Sequence, residues 1–522
     1  MGATEAGGGA TRAGYLTDIQ YTANFAPFLT PAALAYTAVL NGHASPDFNA
    51  PFRYCELGCG RGVTSLVLAA VHAHGEFHAC DINPAHIEHA AALQKAAGIT
   101  NLQLHARSIE QMLADDDLPR FDFIVAHGLY SWVPDAVRAQ MRAFIAARLA
   151  PGGLLFVSYN TLPGWAALQP LRQMLRSYAA HAPGDTLAKA KAAFAYAQRM
   201  ADRGAGVFKA SPAARAQLAE IAQHDIRYVV HEYLTPHGDP FWFGDVERAL
   251  RDSGVAYAGS LTPSLNVPEL MVPPALADPI AATSRTMFEM HHDFVANTAF
   301  RRDLYIRAAP RPLPAEVPLA DFAPFDFALA RLPEQLPLKS ADGELQFDLT
   351  GRAAAVRAVH TLLASAPADA SAIARTSGLS DGDATLLIQQ LVIAQHLMPV
   401  PRLRPAGGWP ALNAALIDAA LRERQPSVPL ACPALAGALP FEVVQAVMVE
   451  AVAANPVAAS AASAAVARLA SAGHPVLLEG PGGQRRAATE PELLQAMTAA
   501  AHRLLDATCA ERRLLEQLGL LG

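Results

Sequence analysis

The stretch from Arg53 to Ala70, RYCELGCGRGVTSLVLAA, constrains this chain more than any other. A short apolar run passes through Glu56-Leu57-Gly58-Cys59-Gly60-Arg61-Gly62 and becomes an amphipathic helical pattern, so a strand must turn sharply into a helix. Three glycines at that junction allow the tight turn and let a ligand approach peptide N–H groups that a Cβ would obstruct. The next apolar run, Glu76 to Ile82, reaches Asp81 just ahead of Pro84. In a doubly wound sheet neighbouring strands deliver their carboxyl ends to one crevice, which sets Asp81 beside the glycine turn, where it can accept hydrogen bonds from a ribose. A nucleoside-shaped site is the expectation, and a helix-capping or turn acid is the plain alternative for Asp81.

Downstream the same alternation continues. Strands are expected at 52–56, 76–81, 102–106, 121–127 and 154–159, with helices through Ala70, over Pro84–Ala97 and over Asp135–Leu149. Strands alternating with helices of about a dozen residues imply an α/β fold, a parallel sheet covered on both faces by right-handed crossovers. Pro151-Gly152-Gly153 ends the last helix and hands the chain to the apolar run Leu154-Leu155-Phe156-Val157-Ser158.

Three features together resemble a class I S-adenosylmethionine-dependent methyltransferase: ExGxGxG at 56–62, the acid at the end of the second strand, and the Pro-Gly-Gly turn before the fifth. A dinucleotide dehydrogenase shares the first two, but its fingerprint is GxGxxG, whereas the spacing here is Gly58-x-Gly60-x-Gly62. Phe121 to Pro134, FDFIVAHGLYSWVP, with Val157 to Trp165, VSYNTLPGW, is similar to bacterial methyltransferases that carry a methyltransferase regulatory domain, a family that includes bacterial protein lysine methyltransferases. The resemblance runs from about Tyr15 to Arg307. It implies a Rossmann-like core, S-adenosyl-L-methionine as cofactor and a methyl acceptor that is a protein lysine or a small molecule. It sets the methionine part of the cofactor against Gly58, Gly60 and Gly62, Asp81 on the ribose hydroxyls and Ile82 beside the adenine, and adds Glu56, Ser108, Ile109 and His127 to the pocket. Ser108 departs from the family, since many class I enzymes place an Asp after the third strand.

Chemistry is expected where the fourth and fifth strands end. Methyl transfer is an in-line displacement, so the protein chiefly holds the acceptor atom at near-attack distance and sees its proton removed. His127, Tyr130 and Tyr159 are the candidate catalytic residues, with Tyr21, Tyr130, Trp132, Asn160 and Trp165 against the substrate, because aromatic faces favour a sulfonium or an ammonium. A structural histidine is as good a reading of His127 as a base. A non-catalytic, cofactor-sensing scaffold is the alternative from another class.

Composition trims the remaining possibilities. A net charge of -7 over 522 residues gives no electrostatic reason to bind nucleic acid. Five scattered cysteines, an odd number, suit a reducing cytoplasm rather than a disulfide framework, and the first fifteen residues show no export signal. Ala446–Ala470 is interrupted by charge and proline, too polar for a membrane span. His224, Asp225, His231, Glu232 and His291-His292-Asp293 lack metal-ligand spacing, so no metal is expected.

The organisation expected is a disordered 1–14; a helical cap and cofactor-binding core over 15–165, its cap helix starting at Thr30; a lid and regulatory segment with the last core strands over 166–308; and a Pro-rich linker over 309–340. A winged-helix-like module over 341–402 and a helical C-terminal domain over 403–522 complete it. The would-be recognition helix of the module, DGDATLLIQQLVIAQHL, has no Lys or Arg and so reads as a packing element. A homodimer is compatible with all of this.

Overall fold

The computed structural model describes residues 11–12, 15–16, 24–223, 226, 230–329, 331–339, 348–479 and 485–521. Its centre is a seven-stranded sheet: β1 (Arg53–Leu57), β2 (Glu76–Cys80), β3 (Leu102–His105), β4 (Phe121–Ala126), β5 (Leu149–Asn160), β6 (Ala256–Ser260) and β7 (Phe300–Ile306). The order across the sheet is 3-2-1-4-5-7-6, with the first five strands parallel and β7 antiparallel to both β5 and β6. This is the Rossmann-like methyltransferase fold. The order reverses beside β1, so the crevice where ligands lodge opens over the glycine turn.

Local chemistry explains the elements that frame this crevice. Thr30 caps helix α1 (Pro31–Leu40) by accepting from the Ala33 amide, with Pro31 at the first helical position. Helix α2 (Val63–Val71), apolar but for Thr64 and Ser65 in its first turn, is wholly buried, because the core and the C-terminal half cover it from both sides. Helix α3 (Pro84–Ala97) is capped by Asn83 and stopped by Gly98 in the left-handed region. β5 begins at Leu149 rather than Leu154, since the Pro-Gly-Gly turn is absorbed as an irregularity in its pairing with β4.

Four helices between Gln169 and Ile221 follow β5, in the segment where a lid is expected, and hold an apolar core of their own around Leu171, Leu175, Phe208 and Leu218. The linker expectation for 309–340 holds only in part. Phe325–Leu329 lies between the strands Ala368–Asp369 and Leu397–Pro401 in a three-stranded sheet, which with helices Ala353–Leu363, Ala370–Ser377 and Asp381–Ile393 makes the winged-helix-like module. Phe322 and Phe325, ring centroids 5.5 and 5.8 Å from that of Tyr36, anchor it to α1. Aromatic side chains, not prolines, decide the conformation there. At the N-terminus, Thr11–Arg12 already pairs with Tyr15–Leu16, inside the stretch read as disordered.

The C-terminal domain is helical but also contains a strand pair, Ser427–Cys432 with Gly437–Glu442, that the Ala/Leu-rich sequence did not announce. The expected strand near Pro475–Leu478 runs Leu477–Glu479 and pairs with Arg485–Ala487, while the glycine tip at 480–484 lies outside the described residues. Helix Trp409–Arg422 lies against α2 and α3. At its end Glu423 accepts from Arg61 Nη1 at 2.7 Å, and the His89 ring sits 2.9 Å from Nη2. The Arg61 side chain is 4% exposed and Glu423 31%. Removing the carboxylate strands a buried guanidinium, so Glu423→Ala should lower the unfolding free energy by about 2 kcal/mol and Glu423→Gln by less, measured by urea unfolding of the full chain.

Candidate active site

The glycine turn is built by three different demands. Gly58, Gly60 and Gly62 all have positive φ, at 72°, 53° and 73°. A Cβ on Gly62 would stand 2.8 Å from the Ala90 Cβ, so this glycine lets α3 close on the turn. A Cβ on Gly60 would meet nothing within 4 Å, which leaves that side of the turn open. Leu129, from the loop after β4, comes within 3.2 Å of where a Gly58 Cβ would be.

The backbone amides tell against one part of the sequence reading. Gly58 and Cys59 both donate to the Cys80 carbonyl at 2.9 Å, Gly62 donates to Cys59, and Gly60 donates to Asp81 Oδ2 at 2.9 Å. These four amides serve the protein itself and are not free for a ligand. What the turn offers is close approach over Gly60, with Asp81 alongside.

Asp81 is buried and turned toward the glycine turn. Besides the Gly60 amide it accepts from the Asn83 amide at 2.8 Å, and His86 Nδ1 lies 3.2 Å from Oδ1. A carboxylate has about four acceptor positions, so with these three neighbours about one remains, on Oδ2, for a hydroxyl donor. Ile82 follows, half-buried. Ser108 accepts from the Gln111 amide in a capping box that starts helix Ile109–Leu113, so one of its two lone pairs is engaged at the cap, and Ile109 is packed into the apolar core under the sheet. Glu56, at the end of β1, is buried and accepts from the Ser65 hydroxyl. Burial lifts its carboxyl to about 7 against the opposing Ser65 hydrogen bond, with the Asp81 charge adding to the lift.

At the other end of the crevice, His127 closes β4. Its Nδ1 lies 2.9 Å from Ser158 Oγ, which also accepts from the Gly128 amide at 2.8 Å. Phe28 meets the imidazole edge-on at 5.1 Å, and Phe156 and Phe300 complete the surround. Burial, helped by the charge of Arg302, pulls the His127 pKa down to about 4, so the ring is neutral at pH 7. Ser158, Phe28, Phe300 and Arg302 are site residues that sequence reasoning missed. β-register brings in Ser158, Phe300 and Arg302, since Ser158 faces Arg302 across the β5–β7 pair, and the turn Pro27–Leu29 ahead of α1 delivers Phe28.

The remaining candidates divide. Tyr130 is buried with its ring 5.3 Å from Phe241 and 6.1 Å from Tyr159, and burial raises its pKa. Trp132 is half-buried under the Arg172 guanidinium of the lid, 5.9 Å from the ring centroid. Asn160 is buried, its backbone tied to Ser131 Oγ and to Phe241 and its Nδ2 without a partner among the described residues. Trp165 belongs to the apolar core of the lid, 6.3 Å from Tyr233.

Tyr159 requires a correction. It does not line a channel: at 1% exposure its hydroxyl donates to Asp303 at 2.5 Å, and burial with the Asp303 charge drives its pKa far above the usual phenol range, so it is no proton acceptor. Tyr21, His224 and Asp225 lie outside the described residues, and nothing is described of the His231 side chain. Among the described residues no group of three or more His, Cys, Asp or Glu could hold a metal, and no helix is long and apolar enough to cross a membrane.

With this geometry in place, comparison with known proteins is direct. Residues 55–155 match the family model of a methyltransferase domain, and residues 225–307 match the one described as a predicted methyltransferase regulatory domain. The chain is thus similar, in these two regions, to methyltransferases that carry this regulatory domain. An uncharacterized protein of Synechocystis is 33% identical over 64% of this chain and 65% of its own length. One from Rickettsia prowazekii is 25% identical over 62% and 58% respectively. The chain thus spans less than two thirds of the length of these relatives. PKMT2 from Rickettsia typhi, solved in complex with AdoHcy, shares the fold with a TM-score of 0.71 at 18% identity, over 96% of this chain and 99% of that one. The matched regulatory region begins at 225, within the segment 166–308 that the sequence assigned to lid and regulation, and ends with β7.

The Glu56 carboxyl yields a pH prediction. Its folded pKa, about 7, lies above the unfolded value of about 4.3, so the folded chain holds an extra proton between them and this group's contribution to stability falls as pH rises through that window. The full effect is about 4 kcal/mol. Glu56→Gln, which still accepts from Ser65, should therefore lose less stability than the parent between pH 5 and pH 8 in urea unfolding; identical losses would show Glu56 to be ionised throughout.

Proposed function

We propose that this chain is an S-adenosylmethionine-dependent methyltransferase whose acceptor is a lysine side chain of a protein. The observation that carries the reading is the pairing, in one crevice, of an Asp81 carboxylate turned onto an open glycine turn with a neutral imidazole at the acceptor end of β4. The methyltransferase-domain match supports the cofactor, and the likeness to bacterial lysine methyltransferases supports the acceptor, together with a lid and C-terminal half large enough for a macromolecule.

The residues present fit the cofactor. Asp81 has acceptor capacity left for a sugar hydroxyl, Ile82 offers an apolar edge beside it, and the face over Gly60 is clear of side chains. When bound, S-adenosylmethionine supplies an electrophilic methyl group. The chain's own task is to present a lone pair. A lysine ammonium has none, and an imidazole with a pKa of about 4 is too weak a base to strip it, so the amine must bind already neutral, its proton lost to water. His127 then orients it. For Nε2 to accept an amine N–H, Nδ1 must carry the ring proton, and Ser158 Oγ at 2.9 Å is placed to take that hydrogen bond and fix the tautomer.

Transfer of labelled methyl from S-adenosylmethionine to protein, recovered as methyl-lysine after hydrolysis, is the expected result. Label recovered in a small metabolite would favour the small-molecule alternative, and tight cofactor binding without any transfer the scaffold alternative. His127→Ala should lower kcat about tenfold, the worth of one orienting hydrogen bond. S-adenosylhomocysteine affinity should stay within about threefold of the parent by calorimetry. The rate should rise with pH across 6–9 in both proteins, following the acceptor amine; an inflection near pH 6.5 that vanishes in the variant would instead make His127 the base.

A further inference from the structure

Among the described residues, one charged group at the acceptor end has no counter-charge. Arg302, on β7, extends under the Phe28 ring at 4.7 Å and beside Phe300 at 5.7 Å. Phe28 in turn touches His127, so guanidinium, rings and imidazole form one cluster at the ends of β4, β5 and β7. Arg302 is half-buried, its Nε is buried without a hydrogen-bond partner, and among the described residues no carboxylate pairs with it. Its neighbour in sequence is the opposite case: Arg301, on the other face of the same strand, is bound by Asp303, Asp293 and Glu289. A buried guanidinium N–H without an acceptor is costly, and the two aromatic faces compensate only its charge, not its donors.

We propose that Arg302 reads a carboxylate on the methyl acceptor, carried by an acidic residue flanking the lysine. This rests on the lysine reading above and adds a sequence preference to it. A planar fork of N–H donors beside an apolar platform is the geometry that takes a carboxylate in two parallel hydrogen bonds. The sheet order points to the acceptor rather than the cofactor as the source. From the glycine turn on β1 to Arg302 on β7 there are three strand spacings, across β4 and β5, or about 14 Å of backbone separation. Arg302 borders His127 and Phe300, and Phe300 is 39% exposed at the entrance. A fixed cation here also disfavours the ammonium and so selects the neutral amine, while a carboxylate borne by the same acceptor is attracted to it.

The test uses the full chain loaded with S-adenosylhomocysteine and blocked heptapeptides with one central lysine, bearing a single Glu at each flanking position in turn, each paired with its Gln analogue. Calorimetry should show at least one Glu peptide binding about tenfold or more tighter than its Gln partner. In Arg302→Met, which keeps the stem on the rings, that gap should close while S-adenosylhomocysteine affinity is unchanged. Arg302→Lys, which keeps the charge without the fork, should leave a reduced gap, and it decides the matter if the Met variant does not fold. Equal binding of every Glu and Gln pair overturns the proposal. So does a tenfold loss of S-adenosylmethionine affinity in Arg302→Met that decarboxylated S-adenosylmethionine does not share, since the carboxylate would then be the cofactor's. Tight Glu-peptide binding without transfer of labelled methyl would leave Arg302 as a carboxylate reader and remove the lysine reading instead.

Discussion

The bond from the Gly60 amide to the Asp81 carboxylate joins the two strand ends on which the crevice depends. It ties the turn after β1 to the end of β2, and the Cys80 carbonyl, accepting from Gly58 and Cys59, closes the same gap one residue earlier. A carboxylate held by two backbone amides and flanked by the His86 ring cannot swing away without leaving buried donors unpaired. The site is therefore set before any ligand arrives, which is the economy of a preorganised binding pocket. The three left-handed glycines are the precondition, since any side chain at 62 would push α3 off the turn that Asp81 secures.

A second fixed point lies beneath the acceptor end. Arg301 is wholly buried, donating to Asp303 at 3.0 Å, Asp293 at 2.8 Å and Glu289 at 2.7 Å, with the Phe243 ring 4.2 Å from its guanidinium carbon. Glu289 and Asp293 sit on helix Arg285–Ala296, so this one side chain fastens that helix to β7 and, through Asp303 and Tyr159, to β5. Such a cluster costs much desolvation and is sensitive to the loss of any member, a pattern that secures geometry more than it adds stability. Strand β7 thus has two functions on its two faces: Arg301 inward to structure, Arg302 toward the crevice.

The C-terminal half is part of this frame. Helix Trp409–Arg422 and the strand pair behind it cover α2, and Glu423 reaches Arg61 inside the glycine motif itself. The His72 ring contacts the Ala436 carbonyl from the far end of the same helix at 3.1 Å. A helix as apolar as α2 needs a cover on each face, and the domain some 350 residues away supplies one. Whatever binds the C-terminal half therefore does so on a body packed directly against the cofactor turn.

What the sequence determined by itself was local and periodic: the strand and helix alternation, the glycine turn, the acid at the end of β2, and the cap at Thr30. Each of these is dictated by neighbours a few residues away, through backbone sterics, capping or the period of the apolar pattern. Tertiary structure alone decided the rest. Tyr159 was read as facing the crevice because its strand ends there, yet the pleat turns it onto Asp303, and one residue of register separates the two fates. The amides of the glycine turn were read as free for a ligand, but Cys80 and Asp81 take them across the sheet. Arg61 gains Glu423 from 362 positions away, and Arg302 gains its place beside His127 only because β7 inserts antiparallel next to β5. Partners chosen by strand register and domain docking leave no periodic trace in the chain, so no reading of sequence alone could have named them.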